Sequence, residues 1–211
     1  MHQEIIQALQ WRYATKIFDP GKHVSAENLQ TILEAGRLAP SSFGIEPWKF
    51  IVVENSDMRV KLRAVAYDQP KVTDASHLIV IARRTDARTQ IATELVERTA
   101  KIQNKMVTDL QGLKHAVEGS IGARDDQALD AWIRSQVYIP LGIMVEAAAL
   151  LDVDSCPMEG FDPAGVDALL GLKEKQLTAT VMLTIGYRGQ DPMASLSKVR
   201  RAFPDVVEFI R

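Results

Sequence analysis

Apolar positions recur along this chain at two periods, and the switches between them predict its elements. Near the start, Ile5, Ile6 and Leu9 lie at helical spacing. A second helix begins after Ser25, with Leu29, Ile32, Leu33 and Leu38 on its apolar side. Pro40 ends it, because proline has no amide to continue the ladder. Residues 48–53 (WKFIVV) read as a short buried strand and residues 77–82 (HLIVIA) as a second strand, with a helix over 57–66 between them. Residues 86–116 are helical by propensity but strongly charged. Only Ile91, Leu95, Ile102, Met106, Val107 and Leu110 form an apolar stripe there, so the segment reads as a cover. Residues 126–151 form a more apolar helix, whose alanines at 147–149 would let another helix approach closely, and this is the expected central core helix. A strand near 153–156, a short helix near 163–170, a strand over 178–185 and a basic tail, SLSKVRR, complete the pattern.

Helices outnumber strands, and their order is not a regular βα alternation. That argues for an α+β fold over a doubly wound sheet. No repeat, low-complexity run or linker interrupts the pattern, so residues 1–211 read as one domain. Two polar loops stand out as places that present donors: WRYATKIFDPGKH between the first two helices, and SSFGIEP after Pro40.

Composition narrows the function classes. A chain of 211 residues can bury about 70% of the surface its unfolded form exposes, and it needs no metal or disulfide staple. The 25 basic and 27 acidic side chains leave a charge of −2 with both signs interspersed, which disfavours nucleic-acid and membrane-surface partners. The longest apolar stretch, residues 139–151, contains Pro140, Gly142 and Glu146 and falls short of the roughly 20 residues that a membrane span requires. A lone Cys156 forbids an internal disulfide, and the opening MHQEIIQALQ lacks the features of a secretory signal. A reducing, cytoplasmic setting is expected.

Several chemistries lose their support on inspection. No GxGxxG follows a strand and no GxxxxGK[ST] occurs. His2, His23, His77 and His115 show no metal-ligand spacing, so no metal site is expected. Asp74, Ser76 and His77 suggest a hydrolytic triad, but no GxSxG elbow supplies an oxyanion hole. Asp74 and Ser76 read better as groups that satisfy backbone in the loop entering the strand. Cys156, beside Pro157, reads as a buried small hydrophobe. The cations are more informative. Arg12 and Lys16 flank an extended loop, Lys71 precedes the second strand, and Lys198-x-Arg200 in an extended segment would send both side chains to one side as a fork for a phosphate. Ordinary solvated surface charge is the competing reading for each of them.

Taken together and in order, the segments RYATKIFD (12–19), APSSFGIEPWKFIVV (39–53), QPKVTDASHLIVIA (69–82), CPMEGFD (156–162), GLKEK (171–175) and SKVR (197–200) resemble the FMN-dependent nitroreductase family. The resemblance covers nearly the whole chain. It implies an intertwined α+β homodimer with a central mixed or antiparallel sheet flanked by helices, and FMN in the interface held by both chains. On matching positions, Arg12, Lys198 and Arg200 would hold the FMN phosphate, and Tyr13, Ala14 and Lys16 would line the flavin beside them. Lys16 and Lys71 would lie near the pyrimidine end of the ring system, where positive charge favours the negative charge that reduction brings. Pro40, Ser41 and Ser42 would reach the flavin of the partner chain. Pro157 and Met158 would pack on one ring face, with the backbone N–H of Glu159 or Gly160 aimed at flavin N5. Gln136 would lie near the ribityl chain, or else be an ordinary helix-surface glutamine.

Departures from the better-known enteric branch bear on substrate preference more than on flavin binding. Asp68 stands where Asn is common and, when ionised, cannot donate to a flavin carbonyl, although a ribityl hydroxyl could still donate to it. Tyr13-Ala14 replaces a His-Ser pair, and Gly44 and Glu46 stand where Asn and Gln are frequent. The charged segment 86–116 matches the variable region that would roof the substrate channel. The implied activity is ping-pong hydride transfer from NADH or NADPH through FMN to nitroaromatics, quinones or similar planar acceptors, with no side-chain nucleophile. Two alternatives compete with it: a flavin-binding protein that stores, senses or regulates with little turnover, and a hydrolase built on Cys156 or Ser76.

Overall fold

The computed structural model describes residues 2–211, with side chains from residue 3 onward. Its centre is one antiparallel sheet of strands β1 (Trp48–Val53), β2 (His77–Arg84), β3 (Asp154–Met158) and β4 (Leu177–Gly186), in the spatial order β1-β2-β4-β3. The helices are α1 (His2–Trp11), α2 (Ala26–Arg37), α3 (Ser56–Val65), α4 (Lys71–Asp74), α5 (Ile91–Gln103), α6 (Gln111–Gly122), α7 (Asp126–Leu150) and α8 (Pro163–Leu170).

The unbroken apolar run of HLIVIA follows from burial on both faces. Leu78, Val80 and Ala82 pack with Met182 of β4, Leu62 of α3 and Val166 of α8. Ile79 and Ile81 face the other way, with Val181 and Leu183, against Ile32 of α2 and Val137 and Met144 of α7. α2 presses onto α7 at Gly36, where an added Cβ would lie 2.7 Å from the Met144 side chain. The helix starts obey local chemistry. Ser25, Asn55 and Asp125 accept the amides of Asn28, Met58 and Ala128, and Asp162 caps α8 ahead of Pro163.

Two expectations need correction. WKFIVV is not a buried strand: it forms the outer edge of the sheet, Lys49 is exposed, and only Val53 is fully buried. Residues 86–116 are not one helix. α5 starts only at Ile91 and stops at Asn104, whose φ of 51° turns the chain away, and α6 resumes at Gln111. Asparagine tolerates that left-handed backbone, which is why the break falls there. Ile91 and Leu95 join Val117, Ile121, Leu129 and Ile133 in a separate cluster with Ile45, while Ile102, Met106 and Val107 are exposed. Among the described residues no helix is long and apolar enough to cross a membrane.

The opposite edge of the sheet positions the site. Residues 14–15 run beside β3, with Ala14 bridged to Ser155 and the Thr15 amide donating to the Ser155 carbonyl at 3.3 Å. Phe18 bridges to Arg188, just beyond β4. The polar loop after α1, the end of β3 and the chain after β4 therefore meet at one edge.

The α2–α7 contact makes a testable demand. Gly36→Val should cost about 1–3 kcal/mol, because already its Cβ would lie 2.7 Å from Met144 and 3.1 Å from Phe50. Gly119→Ala in α6, where an added methyl meets nothing, should instead add about 0.5–1 kcal/mol. Urea denaturation of the two variants checks both signs.

Candidate functional site

Two carboxylates hold the loop after α1. Asp191 accepts the amides of Lys16 (2.7 Å), Ile17 (3.2 Å) and Met193 (3.0 Å). Burial alone would push its carboxyl up, but the amides of Lys16, Met193 and Ile17 outweigh that and hold it below the usual carboxylate range. Asp154 is buried in β3 and accepts the backbone N–H of Arg188 (2.8 Å), its Nε (2.8 Å) and the Thr15 hydroxyl (3.2 Å). The Arg188 guanidinium, paired with Asp154 at 2.6 Å, lies 4.1 Å from the centre of the Trp11 ring and 4.7 Å from that of Tyr13. Burial, and then Asp191, push the Tyr13 phenol up to about 12, so it stays protonated at neutral pH.

Against this frame the cations converge. Arg12 is held below its ordinary value by burial and then by Arg200, and its buried Nε has no hydrogen-bond partner. Lys198 is lowered by burial and by Arg12, Arg200 and Arg188 together. Its ammonium donates to the Gln10 carbonyl in the last turn of α1, where the helix end favours a cation. Arg200 is exposed and donates to the Val199 carbonyl at 2.8 Å. Mutual repulsion with an unpartnered donor at its centre is the signature of a site for an anion such as the expected phosphate. A cavity of 420 Å³, with Trp11, Tyr13, Arg188 and Lys198 in its wall, opens beside the cluster.

The end of β3 supplies a second kind of donor. Met158 is buried, Pro157 is half-buried, and Glu159 and Gly160 are exposed; among the described residues neither of the latter two amides has an acceptor. Gln69 Nε2 donates to the Gly160 carbonyl at 2.7 Å and so ties this segment to the turn that precedes Lys71. In that turn Tyr67 and Asp68 both have left-handed φ (54° and 53°), and Asp68, largely exposed, accepts from Arg63 Nε at 2.7 Å. The Lys71 side chain, in a residue only 7% exposed, has no hydrogen-bond partner for its ammonium among the described residues. Beneath it Arg59 donates to the carbonyls of Val72, Ala75 and Ser76, anchoring α4.

The remaining sequence-derived residues lie elsewhere. Pro40 is exposed, the Ser41 hydroxyl accepts the Glu46 amide at 2.8 Å, and the Ser42 amide donates to Gln136 Oε1 at 2.8 Å. Gln136 is thus not an ordinary surface residue. It is buried, and its amide is engaged by Ser42 and the Trp132 carbonyl. Lys16 is exposed and contributes its backbone to Asp191. Ser76 does satisfy backbone, accepting the Val24 amide at 2.8 Å, whereas Asp74 accepts only the Thr73 hydroxyl. Cys156 is buried in the core. Sequence reading missed Arg188, Asp154, Asp191 and Tyr138, whose partners lie far along the chain.

With its fold and this geometry, the chain is matched over residues 9–187 by the model of the Nitroreductase family, and it belongs to that family. An inferred NAD(P)H nitroreductase of Staphylococcus aureus is 40% identical to it over 218 positions, covering 100% of this chain and 97% of that protein. Among solved structures, a nitroreductase-like protein from Streptococcus mutans superposes with a TM-score of 0.87 at 21% identity, covering 100% of both chains. An inferred nitroreductase from Exiguobacterium sibiricum, solved in complex with FMN, superposes with a TM-score of 0.80 at 21% identity, covering 99% of this chain and 96% of that one. The structural likenesses establish the fold.

Asp191 gives the site a defined acid response. Its folded value lies below the unfolded value of about 3.9, so its contribution to stability is complete above that pH and is lost as pH falls through the folded value. Asp191→Asn should remove that acid-sensitive part and cost about 1.5–3 kcal/mol at neutral pH, the worth of a hydrogen bond to a charged group. Thermal melts at pH 7 and pH 3 test this: the two proteins should differ less at the lower pH.

Proposed function

We propose that this chain is an NAD(P)H-dependent oxidoreductase that holds FMN at the sheet edge formed by the 12–16 loop, β3 and the segment after β4. Nitroaromatics, quinones and similar planar molecules are the acceptor class. The observation that carries the reading is the pairing of two unsatisfied donor sets in one frame. One is the Arg12–Lys198–Arg200 cluster with its orphan Arg12 Nε, and the other is the adjacent free amides of Glu159 and Gly160. A cofactor with a phosphate at one end and a ring of hydrogen-bonding nitrogens at the other fits both. The FMN in the Exiguobacterium sibiricum structure and the NAD(P)H in the name of the Staphylococcus aureus relative support the same choice.

Bound FMN would supply the chemistry, taking a hydride from NADH or NADPH and handing it to an acceptor that enters the vacated place in ping-pong order. The chain's own groups bind and orient. Arg12, Lys198 and Arg200 would grip the phosphate with charge-assisted hydrogen bonds, Arg188 holding the loop in place behind them. Lys71, buried and unpartnered, would set positive charge at the pyrimidine end, with Lys16 at the rim. Tyr13 and Ala14 would line the ring through backbone, and Pro157 and Met158 would cover one face. Glu159 and Gly160 would donate N–H toward N5 without any proton leaving them. Asp68, held outward by Arg63, would contribute little to the cofactor.

A homodimer belongs to this proposal. Gln136 and Tyr138 stand two residues apart on α7, roughly 200° around the helix, and they hold the Ser41–Ser42 loop and Glu159 respectively. One chain therefore turns Pro40, Ser41 and Ser42 away from its own Glu159–Gly160 and toward the place a partner would occupy. Ile5, Ile6 and Leu9 on α1 and Ile139 and Leu150 on α7 leave apolar surface exposed that a partner would cover.

Purified protein should be yellow and should bleach on anaerobic addition of NADH or NADPH, with the colour restored by a quinone or nitroaromatic. A yellow protein that does not bleach would instead favour a storage or sensing role, and a colourless one that takes up no FMN would end the flavin reading. The double variant Lys198→Ala/Arg200→Ala should keep its fold and bind FMN on the order of 100-fold more weakly, the loss of two charge-assisted contacts. Fluorescence titration with FMN measures it, and unchanged affinity would remove both residues from the phosphate site.

A further inference from the structure

The Glu159–Gly160 dipeptide is restrained on every side except its amides. The Glu159 carbonyl accepts the Phe161 amide at 2.9 Å, and Phe161 is itself buried. The Gly160 carbonyl accepts Gln69 Nε2 at 2.7 Å, and the same Nε2 also donates to the Ala66 carbonyl at 3.0 Å. The Glu159 carboxylate accepts the Tyr138 hydroxyl at 2.5 Å. Because a peptide unit is planar, fixing the Glu159 carbonyl fixes the direction of the Gly160 N–H, and fixing the Glu159 side chain limits rotation about that residue.

We propose that Tyr138 is a positioning residue, acting through the Glu159 carboxylate to aim the Glu159 and Gly160 amides; this deepens the flavin reading above and rests on it. Tyr138 suits the task because α7 is the central buried helix, packed by α1, α2, β2 and β3. Its hydroxyl therefore reaches the exposed segment from a rigid support. Burial and then Glu159 raise the phenol above its ordinary value, so it keeps its proton and remains the donor at neutral pH. Arg134, one turn earlier on α7, faces the same phenol and opposes part of that rise. The role is orientation: Tyr138 need not touch cofactor or substrate.

Tyr138→Phe removes the hydroxyl and little else. Amide hydrogen exchange at Phe161, whose buried N–H donates to the Glu159 carbonyl and so reports on the order of this segment, should rise about fivefold with and without FMN, the worth of one hydrogen bond. The midpoint potential of the bound flavin should shift with it. Glu159→Ala should reproduce both changes and the double variant should add nothing, because the two side chains act as one unit. Glu159→Gln, which keeps an oxygen acceptor, should restore most of the protection. Additive single variants, or wild-type exchange and potential in a folded Tyr138→Phe protein, would overturn the assignment. If Tyr138→Phe fails to fold, the exposed Glu159→Ala variant tests the same contact without disturbing α7. If the wild-type protein takes up no FMN, the flavin reading fails, while the exchange comparison still decides whether Tyr138 orders the segment.

Discussion

The site depends on two carboxylates that bind the chain's first loop to its last segment. Asp154 joins β3 to Arg188 and Thr15, and Asp191 takes the amides of Lys16 and Ile17. Neither is a generic surface pair. Asp154 is 3% exposed and Asp191 is 6% exposed, so removing a partner would leave a charge out of water with nothing to compensate it. A backbone that would otherwise be a solvated loop is thereby held with fixed geometry. Arg188 is also stacked against Trp11 and Tyr13, so one guanidinium connects the end of α1, the loop and the sheet.

That frame allows cations to be gathered where they repel one another. Arg12 and Lys198 are both lowered by their neighbours as well as by burial, so in the free protein the cluster stores unfavourable electrostatic energy. The end of α1 relieves part of it by accepting the Lys198 ammonium. A bound anion would relieve the rest, and any group that binds only the folded chain stabilises it by mass action. Binding and local order are in this way a single energetic quantity at this edge of the sheet.

Much of the scaffold was legible from sequence because its causes are local. HLIVIA announced a strand, Ser25 a helix start and Pro40 a helix stop, and each of these depends on a few consecutive residues. The break at Asn104 was not legible, since a left-handed asparagine within a helical pattern has no distinctive composition. The edge position of β1 was hidden for a different reason: an apolar run does not say how many neighbours a strand will have. The cationic members of the site were visible as spacing, but the groups that aim them were not. Asp191 meets Lys16 across 175 residues and Asp154 meets Thr15 across 139, and no pattern in a single sequence encodes such a pairing.

Gln136 has a local role that its place in the sequence does not announce. The resemblance puts it near the ribityl chain, and in the structure its carboxamide also accepts the Ser42 amide and donates to the Trp132 carbonyl, shaping the loop. Asp68 likewise has a partner of its own chain, its carboxylate accepting from Arg63. In both cases a neighbour in the chain already uses part of the side chain's hydrogen-bonding capacity. Groups left unsatisfied among the described residues, such as Arg12 Nε, the Lys71 ammonium and the two amides after β3, are better guides to what this protein binds than the residues that merely surround them.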